Sequence, residues 1–103
     1  MLNQIVIVGR LSKTPEIMKN QDGSKFTILS LAVPRSFKND EGVYETDFID
    51  CTVTGTVAEQ TCTYCKNGDL VGVKGRMQNL NHTAQLQIVV EKVSFLSSKS
   101  NEE

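Results

Sequence analysis

Apolar residues recur with period two along most of this chain and switch to a helical period once, in "TVAEQTCTYCKNG" (56–68). There Ala58, Cys62 and Cys65 fall at i, i+4 and i+7, one stripe of a short helix, with Asn67-Gly68 as its C-terminal cap. Three strand-like runs precede it: "QIVIVGRL" (4–11), "KFTILSLAV" (25–33, stopped by Pro34) and "TDFIDCTVT" (46–54). Two follow it, "DLVGVKGRMQ" (69–78) and "QLQIVVEKVSFL" (85–96). Asp22-Gly23 predicts a tight hairpin, and Lys38–Glu45 and "NLNHTA" predict polar loops. Gly9, inside the first run, predicts the bulge or sharp bend that a small closed barrel requires of its longest strand.

Strand, strand, strand, helix, strand, strand is the order of an all-β, five-stranded Greek-key barrel, with the helix between the third and fourth strands plugging its bottom. That is the arrangement of the OB-fold, whose barrels bind oligonucleotides on the face of strands 2 and 3 and on the flanking loops. The 103 residues make one domain, expected over 1–97, with 98–103 as a disordered polar end.

The third run carries most information about function. Ile49, Cys51 and Val53 form one apolar face, whereas Phe48 shares the other with Asp50, Thr52 and Thr54. Phe48 is therefore a lone aromatic ring on a polar, outward face. It is either a ring lying over a neighbouring strand or part of a binding surface. The 11 Lys and Arg against 12 Asp and Glu give a net charge of −1. A polyanionic partner must therefore be held by a local groove, not by the charge of the whole surface. No apolar run reaches the roughly 20 residues of a membrane span, and "MLNQIVIVGR" lacks the features of a signal peptide. A cytoplasmic protein with no membrane partner is expected.

Three cysteines, Cys51, Cys62 and Cys65, read as free thiols. "CTYC" has C-x-x-C spacing but lies towards the end of its helix, where the dipole does not lower a thiol pKa. Cys51 and His82 could complete four zinc ligands, yet at spacings that match no compact zinc module. No nucleophile, base and orienting acid occur together, and "KNGDLVGVKG" lacks the Lys-Ser/Thr ending of a phosphate-binding loop. The expectation is a binding protein without enzymatic activity, metal, cofactor or small-molecule substrate.

Four segments in order, "MLNQIVIVGRLSKTPE", "LAVPRSFKNDEG", "ETDFIDCTV" and "YCKNGDLVGVKGRMQ", resemble the bacterial single-stranded DNA-binding proteins, over about residues 1–96. The chain looks like a short form or paralogue without the family's acidic C-terminal tail. The resemblance implies sequence-independent binding and protection of single-stranded DNA in replication, repair or recombination, by a homo-oligomer, usually a tetramer. By motif position, Phe37 in "RSF" and Phe48 in "TDFI" match two positions where the family stacks rings on bases, and His82 falls about where another such ring is common. Arg10, Arg35, Lys38, Lys74 and Arg76 are the phosphate-contact candidates. Arg35 and Lys38 flank Phe37, and alternation puts Lys74 and Arg76 on one face.

The sequence departs from the family pattern at Thr54, where an aromatic is frequent, and in "QNLNHTAQLQ", which carries no Lys or Arg. Asp50 stands beside Phe48, where a positive or neutral side chain would serve a phosphate better. These departures favour a rival reading, an OB-fold protein-interaction or modulator module with weak DNA affinity. The run "QIVIV", apolar on both faces, predicts that a partner subunit covers one side of the first strand.

Overall fold

The computed structural model describes residues 1–98, which form one six-stranded sheet closed into a barrel and capped by a single helix. The elements are β1 (Ile5–Leu11), β2 (Met18–Lys19), β3 (Lys25–Lys38), β4 (Tyr44–Thr54), α1 (Gly55–Tyr64), β5 (Leu70–Asn79) and β6 (Leu86–Ser97). The five long strands and the helix after the third of them are the expected OB-fold order. The sixth strand, β2, is a two-residue addition pairing Met18 with Phe26 and Lys19 with Lys25.

Spatial order is β1-β5-β6-β4-β3-β2, and β1 also pairs with β3, which closes the barrel. β1 runs antiparallel to β5 over Ile5–Arg10 and then meets β3 through Arg10↔Ala32 and Leu11↔Leu31. Gly9 sits at this changeover, where a Cβ would lie 2.8 Å from the Ala32 carbonyl oxygen. The expected bend is therefore a close approach of two backbones, whereas the register irregularities lie in β3–β4 and β5–β6. β4 and β6 share a short parallel seam, Cys51↔Ile88 and Thr52↔Val89.

The core is the inward side of each alternating run: Leu11, Leu29, Leu31, Cys51, Val53, Val71 and Val73, with Ala58 and Cys65 from the helical segment. Ile5 and Ile7 turn inward while Val6 and Val8 stand 69% and 50% exposed, so β1 is apolar on both sides.

Several local expectations need correction. The helix ends at Tyr64 rather than running through 68, and Thr61, not Cys62, joins Ala58 in its buried face. Thr61 can occupy that face because its hydroxyl donates back to the Val57 carbonyl (2.7 Å). Asn67-Gly68 does not cap the helix. It forms a separate turn in which Asp69 N–H donates to the Lys66 carbonyl and Gly68, at φ +93°, donates to the Leu11 carbonyl.

Pro34 does not end the second long strand, whereas the polar loop expected at 38–45 forms as a turn over 39–43, with Lys38, Tyr44 and Glu45 in the strands of the hairpin arm that carries it. β3 continues to Lys38, and Pro34 pairs with Thr46. Beyond Ala32 its other side has no strand partner among the described residues, so the missing N–H faces an open edge. The arm turns over Asn39–Val43, where the Asn39 carboxamide oxygen accepts from the Glu41 and Val43 amides. The Asp22-Gly23 hairpin forms as expected: Gly23 has φ +88° and Asp22 Oδ1 accepts from the Ser24 amide and hydroxyl. Of the polar end expected at 98–103, residues 99–103 lie outside the described part.

Candidate nucleic-acid interface

Residues directly opposite one another in antiparallel strands point to the same side of a sheet. The pairs Arg10↔Ala32 and Ala32↔Phe48 therefore set Arg10, Ala32 and Phe48 in one outward row across β1, β3 and β4. The middle member is a methyl group. Phe48 consequently stands clear of its neighbours at 70% exposure, an open ring rather than a lid over the adjacent strand. Arg10 donates from Nη1 to the Gly68 carbonyl at 3.0 Å, which fixes the guanidinium at the far end of the row.

Two rungs along β4 from Thr46, on Phe48's side, lies Tyr44, opposite Lys38. Its ring is 56% exposed, and Lys38 Nζ is 5.7 Å from the ring centroid, a cation–π contact. The sequence reading passed over Tyr44. Alternation extended back from Phe48 to 46 and 44 would have found it, had the third strand been started earlier. Phe37 is 64% exposed and sits in the irregular stretch between Pro34 and Lys38.

Arg35 departs from the other cations. Its Nε and Nη2 donate to Asp47 at 3.1 and 3.0 Å, and its Nη1 to Glu45 at 2.6 Å. Asp47 and Glu45 alternate with Phe48, so Arg35 lies across the opposite side of the arm from that ring. The fork of hydrogen bonds from Arg35 holds the Asp47 carboxyl below its usual range, and the bond to Asp47 raises the guanidinium in turn.

The β5 cations line another sector. Lys74 is exposed and lies opposite Val6 on β1 and Lys92 on β6. Arg76 bonds Glu91 at 3.1 Å and Gln78 at 3.3 Å. His82 is exposed at the β5–β6 turn, where it and Asn81 adopt φ of +63° and +51°. An open polar cleft of about 540 Å³ lies beside it, lined by Gln78, Asn79, Asn81, His82 and Gln87.

Of the eight residues singled out, the fold thus gathers Arg10, Phe48 and Lys38 on one surface, with Phe37 on the adjoining arm. Arg35, Lys74, Arg76 and His82 occupy other positions. Open rings beside cations suit a ligand that is flat and apolar in one part and anionic in another. Among the described residues no group of three or more His, Cys, Asp or Glu is arranged to hold a metal ion, and the three cysteines are free. Burial pushes the Cys51 thiol up to about 11 and raises Cys65 as well, so neither is an activated nucleophile. No helix in the described residues is long and apolar enough to cross a membrane.

Comparison with known proteins gives a consistent result. The single-strand binding protein family matches residues 2–96. Single-stranded DNA-binding protein 3 of Listeria innocua is 42% identical, over 98% of this chain and 68% of that one. Single-stranded DNA-binding protein B of Bacillus subtilis is 37% identical, over 99% of this chain and 96% of its own length. Single-stranded DNA-binding protein A of the same organism is 38% identical, and the chain spans 62% of it. Among solved structures, a deletion mutant of the single-stranded DNA binding protein from Thermus aquaticus superposes with a TM-score of 0.75. It is 21% identical and matches 96% of this chain and 52% of that one, a likeness of fold.

Proposed function

This chain belongs to the single-strand binding protein family, and from that premise we propose that it binds and protects single-stranded DNA by stacking bases on Phe48 and on the arm rings Phe37 and Tyr44. Arg10 and Lys38 neutralise the strand beside those rings. The observation that carries this reading is the Arg10–Ala32–Phe48 row, in which a fixed cation and an unobstructed ring share one outward face. Every base has a π-face, so stacking of this kind is indifferent to sequence and contributes about 1–3 kcal/mol per base. The role needs no bond making or breaking. It fits replication, repair or recombination, in the cytoplasm at the nucleoid.

Assembly is part of the proposal. β1 leaves Val6 and Val8 exposed, and its Ile5–Gly9 edge away from β5 is unpaired among the described residues. Leu96 on β6, 49% exposed, packs near the same surface at Gly72. This supports a symmetric homotetramer built through β1 and the β5–β6 region. Four copies would place four ring-bearing faces on one particle, whose avidity offsets weak single sites.

Titration of labelled oligo(dT) at low and moderate salt, with a duplex as control, tests the binding. Single-strand preference with steep salt sensitivity is expected. No binding at micromolar protein in low salt would favour the interaction-module reading instead, to which the neutral β5–β6 turn and the acid-clamped Arg35 lend support. A monomer mass in light scattering would rule out the tetramer.

A further inference from the structure

Asp50 is the residue that simple strand binding does not explain. It lies two residues from Phe48 on the same outward face, roughly 7 Å along the strand. A carboxylate there repels phosphate. It is also held in place: Ser30, directly opposite on β3, donates its hydroxyl to Asp50 Oδ1 at 2.9 Å. That bond leaves Oδ2 and the remaining lone pairs of Oδ1 directed away from Ser30.

Asp50 forms one wall of a cleft of about 520 Å³ between the β3–β4 face and the segment joining β1 to β2. Ile28, Met18 and Pro15 supply apolar surface, and Lys13 and Glu16 the remaining charge. The segment is tied down, because the Thr14 hydroxyl accepts from the Asn67 amide (3.0 Å) and the Glu16 carbonyl from the Thr27 hydroxyl (2.8 Å). Lys13 makes no ion pair among the described residues.

A base entering this cleft from Phe48 meets the aliphatic surface of Ile28, Met18 and Pro15, and a lining where Glu16 adds a second carboxylate to the pair formed by the Asp50 carboxylate and the Lys13 ammonium. The four bases differ in what they offer such a pair. Guanine alone carries two adjacent N–H donors, N1–H and the N2 amino group, next to an acceptor, O6. Thymine has one donor between two acceptors, and adenine and cytosine set an acceptor beside their amino group. We propose that the cleft is a guanine-preferring subsite, in which the Asp50 carboxylate accepts from N1–H and N2–H and Lys13 donates to O6. Charge-assisted, two-bond pairing of this kind is the stronger class of hydrogen bond and discriminates between bases. The inference rests on the stacking role of Phe48 and adds selectivity to it: binding stays general, but the register of the strand is biased by its guanines.

The test uses short labelled strands repeating T-T-G, which have no guanine run, against strands repeating T-T-inosine and T-T-A and against all-thymine. Inosine keeps N1–H and O6 and lacks only the N2 amino group. The T-T-G strand is expected to bind at least about fivefold tighter than all-thymine, with inosine intermediate and T-T-A without advantage. Asp50→Asn removes the carboxylate and should erase the guanine advantage while tightening all-thymine binding, because a negative charge leaves the phosphate path. Ser30→Ala, which unpins Asp50, should reduce the advantage in part. Equal affinity of wild type for all four strands, or a guanine advantage that survives Asp50→Asn, overturns the subsite and leaves general binding standing. Failure of every strand to bind overturns both.

Discussion

Arg35 grips Asp47 with two parallel hydrogen bonds, at 3.1 and 3.0 Å, on the side of the arm facing away from Phe48. A guanidinium so occupied contributes little to a phosphate path until its partner lets go. Asp47→Asn combined with Glu45→Gln should therefore tighten binding of oligo(dT) and steepen the dependence of log K on log salt by about one unit, as one cation is released. Because the folded Asp47 pKa lies below its ordinary 3.8, the clamp is complete above that value and is lost as pH falls through the lowered one. Any acid-induced loosening of the arm belongs below about pH 4, observable by NMR of the Arg35 side chain.

Phe48→Ala should weaken oligo(dT) binding by about 1–3 kcal/mol with little change in melting temperature, since the ring is open to solvent. Phe37→Ala and Tyr44→Ala should act in the same direction. Fluorescence anisotropy and calorimetry on the same preparations separate the two effects. A Phe48→Ala protein that unfolds, or binds undiminished, removes the stacking role.

Gly75 and Gly72 make a controlled pair on β5. A Cβ at Gly75 would sit 2.1 Å from the Val89 carbonyl oxygen, whereas one at Gly72 meets its nearest neighbours at 3.9 Å. Gly75→Ala should cost at least about 2 kcal/mol of stability in urea denaturation and Gly72→Ala less than about 1 kcal/mol.

Thiol labelling at pH 8 should rank the cysteines by thiolate access. Cys51, buried and raised to about 11, and Cys65, buried and raised, should stay unmodified in the native protein. Cys62, only partly buried, should react first. Mass spectrometry after partial alkylation reads the order, and labelling of Cys51 in the native state would contradict its place in the core.

The barrel was legible in the sequence because its signals are local. The period change near Ala58, the Asp22-Gly23 turn and the alternation of Ile49, Cys51 and Val53 against Phe48 each lie within a dozen residues. What was missed depends on partners distant in sequence. Pro34 looks like a stop until the strand on its other side is known to be absent. Arg35 looks free until the β3–β4 register, which sets Asp47 opposite Val33, brings that carboxylate diagonally within its reach. The alignment of Arg10 with Phe48 in one row requires two registers at once, through Ala32, and no pattern within a single strand contains it.

The double pairing of β1, to β5 along most of its length and to β3 at its end, has a consequence during synthesis. The first strand to leave the ribosome is the one that joins the last-made half of the barrel to the first. It stays without its main partner until Leu70 and the residues after it have emerged. An apolar ribbon thus stays exposed until β5 has been made, so early chaperone engagement and slow final closure are built into the connectivity.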